Sequence, residues 1–548
     1  ALDLRGRTAI VGIGMSRIDL INQIGTVASS GTRQFIKQLK ENKDSVDSSL
    51  IGKFGVGFYS VFMVTDEITI ETRYAEEGSH GLRWSSAGGD SYTIEEIERD
   101  QRGTKISFKL KDEYKEFAED WRIKDIIKKY SNFVDFPLYV GDERVNAVQA
   151  LWHKKKDDIT DDELDEFYKF MTNDYQKPLG HLHLDLEGVV NFKALIFIPQ
   201  TAPPMPMNNE HNRTLHLYSS KVFIQDDAKE LLPEYLRFAK GVVDTEDLPL
   251  NVSREVTQSS PVMAKIRNII TGKILSLLEE WAADDKEKYE KFFHNFGSMF
   301  KLGVNSDFSN KDRLVELLRF ESSATNPGEL TSLNGYTSRM KPDQDAIYYI
   351  SGTHRDSIER NPNLEYFRKK EIEALFLTDP VDIFTVPYLG DYDGKPLKSI
   401  EKSDIDIKDD EPETEAIAAE DKASLIDKFK AVLGDRVEDV IESRRLVDSA
   451  ATLVVGNQGM DPQMEKMMQM LDREFASSKR ILEINPKHPL IANLAQINNQ
   501  SPDSAVLLSG IEQIFEGAML IEGHMKSPVD FVRRMTEFMV RATEPGNK

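Results

Sequence analysis

Two periods organise this chain. Residues 67–72 and 105–110 alternate apolar and polar side chains as strands do, whereas 34–39 and 121–130 repeat their apolar residues at helical spacing. Further along, 189–197 and 215–224 read as strands, and 263–281 and 312–320 as helices. One helix start is explicit. Thr160-Asp161-Asp162-Glu163 stands before LDEFYKF, so the Thr160 hydroxyl and the Glu163 carboxylate can each satisfy a backbone N–H of the first turn. The last part is mostly helical, with a strand-like run at 480–484. The pattern predicts a mixed α/β chain of several domains in which helices dominate. No internal repeat or low-complexity tract is present. The acidic run 404–421 (DIDIKDDEPETEAIAAED) lacks the apolar residues to offset its ordering entropy and is expected to be a solvated linker. A softer boundary falls at GDERVNAV (141–148), which gives three blocks, 1–140, 141–408 and 420–548.

Composition narrows the function. The 548 residues carry 70 basic and 93 acidic side chains, a net charge of −23, which argues against a general nucleic-acid binder needing a basic footprint. No stretch approaches the ~20 uncharged apolar residues of a membrane span. There is no cysteine, which excludes disulfide scaffolds, thiolate metal sites and cysteine nucleophiles and suits a reducing compartment. The chain opens at Ala1 without a charged-then-apolar signal segment.

The candidate chemistry is glycine-rich. Gly12-Ile13-Gly14-Met15 is followed by Gly25-Thr26, by Ser30-Gly31-Thr32, and by Gly52-Lys53-Phe54-Gly55-Val56-Gly57-Phe58-Tyr59-Ser60 running into an apolar segment. Glycine lets a backbone approach a ligand closely, and a glycine turn at a helix start aims N–H groups at an anion. A single turn of this kind is more often purely structural. It is not a Walker A loop, since no Gly-Lys pair precedes Ser or Thr, and the spacing differs from the dinucleotide fingerprint. His181, His183 and Asp185 alternate on one face of a strand as metal ligands could, but the reading adopted is a solvated face. No nucleophile elbow is present.

The order and spelling of these segments carry more than the glycines do. GIGM, DLINQIGTVASSGT, IGKFGVGFYSVFMV and RGTKISFKL resemble the nucleotide-binding domain of the ninety-kilodalton heat-shock chaperone family. YSNFVDFPL, ALWHKKKDDITDDELDEFYK, LYSSKVFIQDD, YLRFAKGVVDTEDLPLNVSRE, LLRFESSA, SRMKPDQDAIYYI and LEINPKHPLI extend the resemblance over nearly the whole chain. Without a long charged inter-domain linker or an acidic C-terminal tail, it looks like the bacterial type, although the mitochondrial type lacks both too.

The resemblance implies an ATPase domain of the fold shared with gyrase, histidine kinases and mismatch-repair ATPases (1–140), a middle domain (141–408) and a helix-rich dimerisation domain (420–548). Gly12, Gly14 and Met15 match the glycine motif under the adenine. Gly55, Val56, Gly57 and Phe58 match the phosphate turn, and Thr104 matches a threonine of the adenine pocket. Arg254 and Gln258 match middle-domain residues that reach the γ-phosphate, where an arginine finger can contribute ~10³–10⁵ in rate. ATP and Mg²⁺ are the implied cofactors. The match is imperfect at the nucleotide site. Ile10-Val11 stand where an adenine-binding Asp is usual, Gln23 replaces an Asn and Ser29 a Lys. The opening helix with the water-activating Glu and the magnesium-binding Asn has no counterpart. Either the sequence is part of a longer chain or the protein is a degenerate form that does not hydrolyse ATP. The break just before an intact motif favours the first.

Client binding requires exposed apolar surface. The resemblance places it at Ala202 to Met207, with Met205 and Met207, at Phe384, and at Met464, Met467 and Met468. Methionine's flexibility suits varied partners, although the same methionine stripe could be core. Ile514, Phe515, Met519 and Phe538 are assigned to dimer packing. The expected protein is a cytoplasmic homodimer that binds partly folded clients, with possible co-chaperones, and cycles on ATP; its competitor is an ATP-independent holdase.

Overall fold

The computed structural model describes residues 2–3, 7–10, 12–26, 57–146, 149–202, 214–248, 260–405, 417–456, 459–460, 464–465, 467–468, 478–523, 525 and 527–543. The predicted helix at 34–39 and most of the acidic run lie outside them. The chain divides into two compact units, 1–295 and 296–548.

The described residues of the first unit form two sheets. Eight strands form the first: β1 (Leu2–Asp3), β2 (Arg7–Ile10), β3 (Thr65–Arg73), β4 (Gly81–Ser86), β5 (Thr93–Ile97), β6 (Gly103–Leu110), β7 (Tyr139–Val140) and β8 (Glu143–Arg144), in the order β5-β4-β3-β6-β2-β1-β7-β8. The alternation predicted at 67–72 is borne out: Ile68 and Ile70 are fully buried, and with Leu20, Leu82 and Trp84 they form a core closed by Met15, Ile24, Phe58 and Ile106. The helix Asp120–Tyr130 follows β6. The capping box is present as predicted: Glu163 N donates to Thr160 Oγ1 and Thr160 N to Glu163 Oε2, opening the helix Asp161–Thr172.

The second sheet, in the order β12-β11-β13-β10-β9, comprises β9 (Gly180–Leu186), β10 (Phe192–Ile198), β11 (Leu215–Ser219), β12 (Val222–Gln225) and β13 (Lys240–Thr245). Its interior strand β10 is almost wholly apolar because it is buried on both faces. The single strand expected over 215–224 is a hairpin instead. Ser220 and Lys221 take left-handed φ of 49° and 63°, and the Asp244 carboxylate accepts from Lys221 N at 2.9 Å. Neither Ser nor Lys advertises such a turn as Asn-Gly would. The helix expected over 263–281 is Pro261–Asp284.

In the second unit β14 (Glu321–Ser322), β15 (Ile347–Ser351), β16 (Ala374–Leu377), β17 (Asp391–Tyr392) and β18 (Lys395–Ser399) form a sheet in the order β14-β16-β15-β18-β17, with β16, β15 and β18 parallel. The helix expected over 312–320 is shorter, Lys311–Glu316. Phe320 exchanges both backbone hydrogen bonds with Thr331 and so leaves the helix. A three-stranded sheet, β19 (Val437–Glu442), β21 (Arg480–Ile484) and β20 (Ala451–Val455) in that order, is covered by Ala419–Leu433, Pro489–Gln500 and Ala505–Glu522. Phe515, expected at a dimer contact, is buried in this core, with Ile514 and Met519 packed against it. Among the described residues of this region the exposed large apolar side chains are Val447, Leu490, Leu520, Ile521, Val529, Val532, Met535, Met539 and Val540. Among the described residues no helix is long and apolar enough to cross a membrane.

Candidate functional site

The glycine turn is held to the first sheet by its backbone. Gly14 has φ of 73°, and a Cβ there would lie 1.8 Å from the carbonyl oxygen of Arg73, so only glycine fits between the turn and the end of β3. The next residue, Met15, donates its N–H to Thr72 Oγ1 at 2.9 Å. Thr72 sits beside Thr104 across the β3–β6 ladder, with their hydroxyls 2.9 Å apart, and Thr72 also donates to Gly103 O at 3.2 Å. Its one proton being spent there, Thr104 is the donor between the two hydroxyls, which leaves the Thr104 oxygen able to accept from a ligand.

Beyond the turn, Ser16 and Asp19 form a second capping box, and Leu20 is driven into the core. Gln23 lies one turn on, exposed, its amide 3.4 Å from Asp19 Oδ1. Gly57 and Phe58 enter a short 3₁₀ turn, Tyr59–Met63. Phe58 packs edge-on against Trp84 with centroids 5.8 Å apart, and the Tyr59 hydroxyl donates to Ile24 O. Met15, Ile24 and Phe58 thus share one core, which brings the two glycine segments together. A Cβ on Gly12 or Gly57 would meet nothing within 4 Å, so the backbone at both faces open space. Gly55, Val56, Ser29, Arg254 and Gln258 lie outside the described residues.

Of the client candidates, Phe384 lies on the helix Asp382–Leu389, whose Asp382, Ile383, Thr385, Val386 and Leu389 are buried. Phe384 and Tyr388, one turn apart, are 41% and 54% exposed. Met464, Met467 and Met468 are half-buried. Met464 lines a cavity of about 180 Å³ together with Ile383, Val386, Pro387 and Met460, so the aromatic helix and the methionine segment meet there. Met205 and Met207 lie outside the described residues.

The profile of the family described as Hsp90 protein matches residues 140–547. The chain belongs to the Hsp90 family. The chaperone protein HtpG of Chlorobium phaeovibrioides is 52% identical over 536 residues, which cover 97% of this chain and 86% of that relative. HtpG of Desulfitobacterium hafniense is 41% identical over 538 residues, covering 97% and 87% respectively. HtpG of Geobacter metallireducens is 39% identical over 561 residues, covering 96% and 86%. The Hsp90 resemblance and its bacterial type are therefore borne out.

Within this Hsp90 chain, Thr72 is the residue of the candidate site that motif reading missed. It belongs to no glycine segment, and its only sequence signal is a buried-side hydroxyl in an otherwise apolar strand face. The solvated-face reading of the histidine strand needs correction. His181 and His183 are half-buried, and burial pushes both imidazoles below their usual pKa. Asp185 pairs instead with Lys193 at 2.5 Å. Among the described residues no group of three metal-ligating side chains occurs.

Proposed function

We propose that this protein is an ATP-driven molecular chaperone, a cytoplasmic homodimer that holds partly folded clients and alternates between open and closed states. The observation that carries the nucleotide reading is the backbone-built turn at Gly12 to Met15, seated on the Thr72–Thr104 hydroxyl pair. Open space at Gly12 and Gly57 leaves room for a ligand to lie against main chain, and the free Thr104 oxygen suits the exocyclic amine of an adenine. Gly57 and Phe58, with Gly55 and Val56, would hold the phosphates. Hydrolysis of the terminal phosphate supplies the free energy of the cycle. Magnesium usually reaches such sites through the phosphates and one or two protein oxygens, and Gln23 is the candidate of that kind beside the turn.

Arg254 would stabilise the charge of the departing phosphate and so tie turnover to domain closure. Client contact falls to Phe384, Met464, Met467 and Met468, joined by Met205 and Met207. Two-chain assembly would cover the apolar side chains of Pro528–Thr543. The competing reading, an ATP-independent holdase, draws on the exposed Phe384 and Tyr388, which need no nucleotide to be presented. The deciding experiment compares ATP turnover and suppression of client aggregation in the parent and in Arg254→Ala. Loss of turnover on the order of 10³-fold with folding intact supports the ATP-driven chaperone. Unchanged client protection in that variant, with no nucleotide effect on the parent, supports the holdase.

A further inference from the structure

Behind the exposed face of the helix Asp382–Leu389 lies a buried charge cluster that no motif announces. Lys301, on the helix Lys286–Lys301, places its Nζ 2.6 Å from Asp382 Oδ1 and 3.6 Å from Asp379 Oδ2. The lysine and Asp382 side chains are 5% and 2% exposed, and the ammonium also lies 5.0 Å above the Phe320 ring. Asp379 is held in turn by the Ser298 hydroxyl at 2.5 Å, and its backbone carbonyl accepts from Asp382 N at 2.9 Å. Asn305 donates to the carbonyl of Phe384 itself at 3.1 Å. Across the cavity that Asp382 lines stand Tyr349 and Lys402. Two carboxylates thus converge on one lysine at the first turn of the helix that presents Phe384 and Tyr388.

We propose that Lys301 and Asp382 are positioning residues for client contact: the buried contact of the ammonium with the Asp382 carboxyl oxygen, which that oxygen can accept in either protonation state, seats the first turn of Asp382–Leu389 and thereby fixes the angle at which Phe384 and Tyr388 are offered. The contact supplies a support for a helix that has an internal proline, Pro387, and no side-chain cap. Burial pushes the Asp382 carboxyl up to about 6 from its ordinary 3.8, against the opposing pull of Lys301. The folded state therefore holds the Asp382 proton more tightly than the unfolded chain. The seat is firmest below about pH 4 and loosens as pH rises through about 6.

That Phe384 touches clients rests on the function proposed above; the seating itself does not, and amide hydrogen exchange of residues 382–389 in the full chain without client tests it alone. Lys301→Met leaves the buried Asp382 carboxylate and the half-buried Asp379 carboxylate without their cation and is expected to raise exchange there on the order of a hundredfold, with β19–β21 protection unchanged. Lys301→Arg should stay nearer the parent. After correction for intrinsic rates, the parent should exchange more slowly at pH 5 than at pH 7, and Asp382→Asn should abolish that difference. Parent-like exchange in Lys301→Met, or an unaltered pH difference in Asp382→Asn, overturns the proposal. If Lys301→Met does not fold, the pH profile of the isosteric Asp382→Asn decides. Altered exchange with unaltered client affinity would keep the seat and remove Phe384 from the client surface.

Discussion

The glycine turn of the first unit and the aromatic helix of the second, the two binding sites proposed above, are built by opposite means. The surface at Gly12 to Met15 is built from backbone, and the decisive property is the absence of atoms: a Cβ on Gly14 would stand 1.8 Å from Arg73 O. At Asp382 to Leu389 it is built from side chains held out into solvent, and the decisive property is what lies beneath them. The first kind of site tolerates almost no change of shape. The second tolerates change at its surface, provided its buried support is kept. That contrast predicts large, all-or-none effects in one region and graded effects in the other.

The largest effect is expected at Gly14. Gly14→Ala must displace either the turn or the end of β3, at a cost of several kcal/mol, about 3 or more, given the forced overlap and the left-handed φ. Calorimetric titration with a non-hydrolysable ATP analogue should show no binding, while client affinity without nucleotide stays at the parent value. Near-parent nucleotide affinity would mean that the turn is structural. Thr72→Val comes next. It keeps the shape of the side chain but leaves Met15 N–H and the Thr104 hydroxyl without their partner, at a cost of about 1–3 kcal/mol. A denaturant midpoint lowered accordingly, with weaker analogue binding, is the expected pair of results; lowered stability with unchanged affinity would separate Thr72 from the ligand. Phe384→Ala should leave both nucleotide binding and stability close to the parent and weaken a partly folded client by about 1–2 kcal/mol, roughly tenfold in Kd by fluorescence anisotropy.

How much of this was legible in the sequence follows the same division. Wherever the signal is local, reading residues in order suffices. The alternation in β3 and β6, the Thr160 capping box and the glycine turn all appear where their residues say they should. Contacts built from distant residues were not legible. Thr72 and Thr104 are joined only by strand register, and Lys301 and Asp382 are 81 positions apart with nothing between them to suggest a pair. Arg445 reads as a surface charge, yet it is buried against Glu483 at 3.0 Å and donates to the carbonyls of Ile400 and Lys402. The hairpin at Ser220-Lys221 was missed because its left-handed residues are stabilised by Asp244 from another strand rather than by their own chemistry. Phe515 was misplaced because Ala505–Glu522 carries apolar residues on more than one face, and the sequence does not show which of them meets its own chain.

The smallest effect is the one that sharpens the contrast most. Met464 is half-buried and borders the cavity shared with Val386 and Pro387, so it is neither a packed core residue nor a free surface one. Truncating a well-packed core methionine costs about 2–5 kcal/mol, because the removed methylenes leave an unfilled hole. At Met464 one side already faces empty volume, so the lost contacts are fewer, and Met464→Ala should cost about 1 kcal/mol in thermal or denaturant unfolding. A value in the core range would place the methionine segment inside the fold and leave Phe384 and Tyr388 to bind clients without it. A value near 1 kcal/mol, together with a broader loss of affinity across chemically different clients than Phe384→Ala produces, would show that the methionine supplies adaptability where the aromatic supplies grip.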